Sequence, residues 1–329
     1  MFPKLGEFRF IDQLLKGAAD FKHDAPQHRG WLGVGDDCAQ FDGWLVTKDL
    51  SVENTHFRLD WSTPEQAVEK HIVSNVSDIN SMGGTPRLAV LGLCINKNWS
   101  EETRTRVQAA LSQGFAKRGI ALIGGDTVSG DVGMFSTTLL GTLDGERPLL
   151  RSAVKPGDSL YVNGTLGKSD AGLWLLMNHP EAKNEFPTLV EYHLAPKIHE
   201  QAGAELLRLG ALGACMDISD GLSSELNHLA LSSNVNVQID EKKLPIDPEV
   251  LRLCEKYGQN PLNFALNGGE EYHLLFANSC PESIFKENTQ LGEVCKIGIA
   301  AEKSAGDPVN MLCKNGEILP VQPRAWSHL

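Results

Sequence analysis

The acidic residues of this chain are distributed in a way that chemistry can use. Five short segments pair aspartate with glycine or a hydroxyl residue: Gly35-Asp36-Asp37, Thr47-Lys48-Asp49, Ser77-Asp78, Gly125-Asp126-Thr127 and Asp217-Ile218-Ser219-Asp220-Gly221. Aspartate is short, so its oxygens stay close to the backbone, and a neighbouring glycine lets that backbone approach a ligand. Mg²⁺ takes six oxygens at about 2.0–2.1 Å and usually shares them among carboxylates, waters and substrate phosphates. Several such loops converging would supply that shell, and a phosphate chain would complete it. Taken singly, each of these residues also suits a helix cap or a turn, Ser219 and Asp220 above all. Their joint occurrence is what points to metal-assisted phosphate chemistry.

The better-known phosphate motifs are absent. Gly164-Thr165-Leu166-Gly167-Lys168-Ser169 has two residues between its glycines where a P-loop needs four, so it reads as a tight turn opening a helix. Gly33-Val34-Gly35 starts like a dinucleotide fingerprint, but Cys38 stands at the third glycine position.

The elements that must position these residues alternate along the chain. Phe8–Ala18 has helical apolar spacing. Trp44–Thr47 reads as a strand ending in a polar patch. Thr63-Pro64-Glu65-Gln66 is a capping box opening a helix that should end near Met82 at Gly83-Gly84. Strands are expected at Leu88–Ile95, Ile120–Ile123 (buried, running into the Gly124-Gly125 segment) and Met134–Leu143, with a helix opening at Ser100-Glu101-Glu102 between the first two. The proline- and glycine-bearing stretch Arg147–Asp158 marks a domain boundary. Beyond it, strands are expected at Ser159–Val162, Ala214–Ile218, Val235–Ile239, Tyr272–Phe276 and Val294–Ile299. Helices are expected at Ser169–Met177, Lys197–Leu209 and Gly221–Leu231. This mixture places the fold in the α/β or α+β class.

A chain of 329 residues suggests two domains. A net charge of −12 without a basic stripe excludes free nucleic acid as a partner, whereas cations can still bridge carboxylates to phosphates. The seven cysteines form no C-x-x-C pair and read as reduced thiols, which suits a cytoplasmic protein. Met1–Glu7 lacks the apolar core of a signal peptide, and stretches such as Ala89–Ile95 are too short to span a bilayer, so no membrane partner is expected.

In order, the chain carries Gly33-Val34-Gly35-Asp36-Asp37-Cys38-Ala39, Asp49 with Asn54-Thr55-His56-Phe57, Asn75-Val76-Ser77-Asp78 with Met82-Gly83, and Gly124-Gly125-Asp126-Thr127. Then follow Arg151-Ser152-Ala153-Val154-Lys155-Pro156-Gly157-Asp158, Asp217-Ile218-Ser219-Asp220-Gly221-Leu222 and Gly268-Gly269-Glu270-Glu271-Tyr272. This set resembles the thiamine-monophosphate kinase family of the aminoimidazole-ribotide-synthetase-like superfamily, and it spans nearly the whole sequence. The resemblance implies a two-domain aminoimidazole-ribotide-synthetase-like kinase fold, α/β and α+β. Residues 1–148 would form an N-terminal α/β domain carrying the metal and ATP site and a homodimer interface, and 149–329 a C-terminal α+β domain. It implies Mg²⁺-dependent transfer of a phosphoryl group from ATP to thiamine monophosphate. By position, Asp37, Thr47, Asp49, Asp78, Asp126, Asp217 and Asp220 would serve the metal ions. Gly125, Asp126, Arg151 and Ser219 would contact ATP, and His56, Glu270 and Trp326 the acceptor. The acceptor is a phosphate monoester, already a dianion near neutrality with a second pKa of about 6, so no general base is expected.

The chain departs from the family pattern at Lys48, where a small hydroxyl residue is usual, and at Glu271 and His273, which replace Asp and Glu. The alternatives are another ATP-using synthetase of the same superfamily, or a nucleotide-binding module that lost activity through Lys48.

Overall fold

The computed structural model describes residues 13–14, 31–143, 145, 147–286 and 288–324. The expected helix at Phe8–Ala18 lies largely outside the described residues, and Trp326 lies wholly outside them. The first sheet begins with β1 (Ala39–Phe41) and β2 (Trp44–Val52). Helix α1 (Pro64–Ser81) follows, then β3 (Gly84–Asn96), α2 (Glu101–Ala116), β4 (Ala121–Gly130) and β5 (Met134–Leu143). The strand order is β1-β2-β5-β3-β4, antiparallel except for the parallel β3–β4 pair.

The second sheet contains β6 (Ser159–Asn163), after which come α3 (Lys168–Asn178), α4 (Pro187–Leu194) and α5 (Ala202–Arg208). Next are β7 (Ala214–Asp217), α6 (Leu222–Ser232), β8 (Val235–Asp240), α7 (Pro248–Tyr257), α8 (Pro261–Asn267) and β9 (Leu274–Asn278). The short α9 (Ser283–Lys286), β10 (Val294–Glu302), β11 (Val309–Leu312) and β12 (Ile318–Pro320) complete it, in the strand order β12-β11-β8-β10-β6-β9-β7.

Helix α1 positions the site. Its start is the expected capping box: Gln66 N donates to Thr63 Oγ1 at 3.2 Å and Thr63 N to Gln66 Oε1 at 2.9 Å. Ile72, Val76, Ile79 and Met82 pack with Leu45, Phe115, Phe135 and Leu139 in the core of the first sheet. Lys70, His71, Ser74, Asn75, Ser77, Asn80 and Ser81 are buried as well. A helix that buries polar residues around its circumference must meet partners on more than one side. Here the second domain supplies them: Asn80 donates to His199 O at 3.1 Å and accepts from Gly203 N at 2.9 Å.

That contact leaves no room at Gly203, where an added Cβ would lie 1.7 Å from Asn80 O. Gly203→Ala is expected to cost about 1–3 kcal/mol of stability, the usual range for overpacking. The urea midpoint of unfolding reads this directly, and an unchanged midpoint would contradict the close approach of α1 to α5.

Four sequence expectations are corrected by tertiary contacts. β2 runs on to Val52 because β5 pairs with it along its whole length. β4 continues through Gly124-Gly125-Asp126-Thr127, paired with β3, and it is exposed, with Leu122 45% and Ile123 57% accessible. The last strand of the 268–278 segment starts at Leu274, since Tyr272 has a φ of 54°, outside strand geometry. The helix expected from Lys197 begins only at Ala202, after a stretch whose His199 carbonyl is taken by Asn80. Helices α4, α7, α8 and α9 and strands β1, β11 and β12 were not anticipated.

Candidate active site

Strand alternation sorts the first acidic segment. Thr47 and Asp49 lie on the face of β2 turned toward α1, and Lys48 lies on the opposite face. The Lys48 ammonium donates to Ser136 Oγ at 2.6 Å on β5, on the opposite side of the sheet from the Asp78 partner of Thr47. Asp78 faces Thr47 from α1, and Thr47 Oγ1 donates to Asp78 Oδ2 at 2.5 Å. Asp49 N donates to Asn75 Oδ1 at 3.3 Å, and the Asp49 carboxylate accepts from the Ser74 hydroxyl.

The loop before β1 brings in Asp37, which accepts from Ser81 Oγ at 2.6 Å and from Arg151 Nε at 3.0 Å, with Arg151 Nη2 on the same carboxylate. Asp36 beside it accepts from the Arg151 backbone N–H at 3.2 Å. Asp217, at the end of β7, accepts from Ser77 Oγ on α1. One carboxylate oxygen from each of Asp37, Asp78 and Asp217 lies within 4.8 Å of the others.

The electrostatics of this cluster follow from burial. Desolvation, then the Asp37 charge, raises Asp217 to about 8. Desolvation and the neighbouring Asp49, Asp217 and Asp37 charges hold Asp78 well above the carboxylate range. Asp36 rises to about 7, first through burial and then through Asp37. Burial also raises Asp49. The donors are hard oxygens at close quarters, the set that suits Mg²⁺ or Mn²⁺ rather than a thiolate- or imidazole-preferring ion. The nearby Cys38 thiol is pushed up by burial and by the Asp78, Asp37, Asp217 and Asp36 charges, so it stays protonated, donating to Asp78 O at 3.3 Å. A divalent cation fits these residues because it would remove the repulsion that the raised pKa values express.

A second centre lies along α1. Glu270 Oε2 accepts from Lys70 Nζ at 2.6 Å, and Lys70 also donates to the His56 carbonyl at 3.2 Å. His56 Nδ1 accepts from Val52 N at 3.1 Å. The Glu270 loop is laid onto the Asp217 loop: Glu270 N donates to Ser219 O at 2.7 Å and Tyr272 N to Ile218 O at 2.8 Å. Glu270 has a φ of 60°, in the left-handed region that side chains enter at a cost and that collects at ligand clamps.

Three of the expected site residues lie outside these groupings. Asp126 is on exposed β4, with Oδ1 accepting from Thr127 N at 2.9 Å, and Gly125 is pressed against β3, where a Cβ would meet Leu91 O at 2.1 Å. The Asp220 backbone N–H donates to Glu225 Oε1 on α6 at 2.8 Å.

Family profiles match both halves of the chain: the AIR synthase related protein N-terminal domain over residues 35–143 and its C-terminal domain over 155–301. Thiamine-monophosphate kinase of Mycobacterium tuberculosis is 36% identical over 83% of this chain and 80% of its own length. That of Aquifex aeolicus is 32% identical over 99% of this chain and 98% of its own. The chain belongs to the thiamine-monophosphate kinase family. A solved structure of AaThiL complexed with AMPPCP and TMP superposes with a TM-score of 0.82 at 32% identity, covering 100% of this chain and 99% of that one. The two-domain aminoimidazole-ribotide-synthetase-like fold expected from the motifs is therefore the fold of this thiamine-monophosphate kinase family member.

Sequence reasoning assigned no role to Lys70, Ser74, Ser77 and Ser81, which hold the acids of this family member in place. Their signal was present: these polar residues interrupt the apolar pattern of α1, a helix otherwise built for the core.

Proposed function

We propose that the chain transfers the γ-phosphoryl group of ATP to the phosphate of thiamine monophosphate, giving ADP and thiamine diphosphate. The family relationship supports this activity, and the observation that carries the mechanism is the meeting of Asp37, Asp78 and Asp217 within 4.8 Å, beside Asp49 and Thr47. These residues, with Asp126 and Asp220, would hold Mg²⁺. When bound, Mg²⁺ supplies charge neutralisation for the phosphates. The protein's own residues align the two phosphates. Arg151 sits on Asp37 at the cluster's edge, and its planar guanidinium can serve phosphate oxygens in a way lysine cannot. Gly125, Asp126 and Ser219 are the further ATP contacts in this reading. His56, Glu270 and Trp326 receive the acceptor, which needs no general base because it arrives as a dianion.

In this reading residues 1–148 and 149–329 are the two domains, supported by one sheet built within 39–143 and another within 159–320. The first domain would form a homodimer through the outer face of its sheet, where Leu50, Val90 and Val128 are 48%, 38% and 55% exposed. Asp126 lies on that face, so a partner protomer bears on the site. A cytoplasmic location accords with seven free cysteines, and no helix among the described residues is long and apolar enough to cross a membrane.

The test is direct. Purified protein with ATP, Mg²⁺ and thiamine monophosphate should yield equal amounts of ADP and thiamine diphosphate, with no product when Mg²⁺ is chelated. ATP binding without any thiamine diphosphate would refute the kinase reading and leave a nucleotide-binding module.

A further inference from the structure

One ammonium group joins two of the residues assigned to the acceptor, His56 and Glu270, and they come from different domains. Lys70 Nζ donates to Glu270 Oε2 at 2.6 Å and to the His56 carbonyl at 3.2 Å, with only 7% of its side chain exposed. Glu270 keeps 26% of its side chain exposed, so its carboxylate is still open to an arriving molecule. His193 Nδ1 lies 3.7 Å from the same Oε2, and the half-buried Asp170 is close enough for the two carboxylates to repel. Without Lys70, Glu270 would face an acid on α3 with no other ammonium or guanidinium paired to it among the described residues. Helix α1 also sets a distance: Lys70 and Asp78 are eight residues apart, roughly 12 Å along the axis at 1.5 Å per residue. One rigid helix thus spaces the carboxylate that would meet a ring from the acids that would meet a phosphate.

We propose that Lys70 is a positioning residue for the acceptor, orienting Glu270 toward the cationic or hydrogen-bond-donating ring of a phosphate monoester whose phosphate lies at the aspartate cluster. This rests on the reading of Glu270 as an acceptor contact. Lys70 acts through Glu270 and through the His56 backbone, and it takes no part in the phosphoryl transfer itself.

The experiment is steady-state kinetics on Lys70→Met, Lys70→Arg and Glu270→Gln. Lys70→Met is expected to raise the KM for thiamine monophosphate by roughly tenfold or more, the loss of one hydrogen bond to a charged group, with the ATP KM unchanged and kcat little affected. Lys70→Arg should recover most of the loss, and Lys70→Met combined with Glu270→Gln should be no worse than Glu270→Gln alone. If Glu270→Gln leaves the acceptor KM at the wild-type value, the reading of Glu270 fails and this proposal with it. If Glu270→Gln raises that KM while Lys70→Met does not, only the role of Lys70 is overturned. A Lys70→Met enzyme that loses kcat and raises both KM values alike would show a structural role and equally overturn it. Should Lys70→Met not fold, Lys70→Gln, which keeps a donor for the His56 carbonyl, is measured against the same criteria.

Discussion

Asp78→Asn is expected to lower kcat by roughly a hundredfold to a thousandfold, the scale on which one preorganised charge-stabilising group acts in a transition state. Asp78 is the residue in which the site's contacts converge. It takes the Thr47 hydroxyl at 2.5 Å, shares a 4.8 Å grouping with Asp37 and Asp217, and feels the Asp49 charge most strongly of its neighbours. Asparagine keeps the shape and one acceptor for Thr47, so the helix and its packing should survive. It removes the charge, and with it a strong oxygen ligand for a divalent cation. The same variant should be more stable than the wild type at pH 8 in the presence of a chelator. A buried carboxylate among like charges is a cost that the fold otherwise carries. Steady-state kinetics and thermal unfolding on one preparation test both halves. Wild-type turnover in a folded Asp78→Asn protein would remove the aspartate cluster from the mechanism.

The second large effect is a link between pH, magnesium and stability. Asp217 and Asp36 titrate at about 8 and about 7 in the folded chain, and Asp78 and Asp49 are also raised, all from an ordinary value of 3.8. Between about pH 4 and pH 8 the folded state therefore binds more protons than the unfolded one, so stability falls as pH rises through that window. Carboxylates shifted the other way act elsewhere. Glu65, lowered to about 2 chiefly by its hydrogen bond to Arg106, loses its contribution only as pH falls from 4.5 toward 2, and its exposure keeps that contribution small. Mg²⁺ competes with protons for the same oxygens, so its stabilising effect should be slight at pH 5 and large at pH 8. At a hundred times the dissociation constant it amounts to about 2.7 kcal/mol. Thermal unfolding with Mg²⁺ and with chelator at the two pH values measures this, and a Tm at pH 8 indifferent to Mg²⁺ would contradict a cation at the cluster.

The local parts of this molecule were legible in the residues. Thr63 and Gln66 announce the start of α1 because a capping box is satisfied within four residues of chain. Met134–Leu143 reads as a strand and is one. The Gly164–Ser169 turn opens α3 in place of a P-loop, with a φ of 141° at Gly164 and 92° at Gly167. Short elements bounded by proline were harder to see. Helices α4, α7 and α8 each begin at a proline and run ten residues or fewer, too short for periodicity to stand out.

Sequence by itself determined the kind of chemistry on offer: aspartates beside glycines, in an order that matches one family, and helix and strand signals set by interactions within a few residues. Tertiary structure alone decided which of those acids lie together within one protomer. Ser77 and Asp217 are 140 positions apart and bonded, whereas Asp126, equally marked by its glycine neighbours, is exposed on an edge strand. It also decided that Lys48 stands apart from the Asp37, Asp78 and Asp217 grouping, since strand pairing turns it to the far side of the sheet. The physical reason is that a carboxylate's pKa, and hence its readiness for a cation, depends on burial and on charges a few ångströms away. Those neighbours are chosen by long-range packing, here the wedging of α1 between two domains.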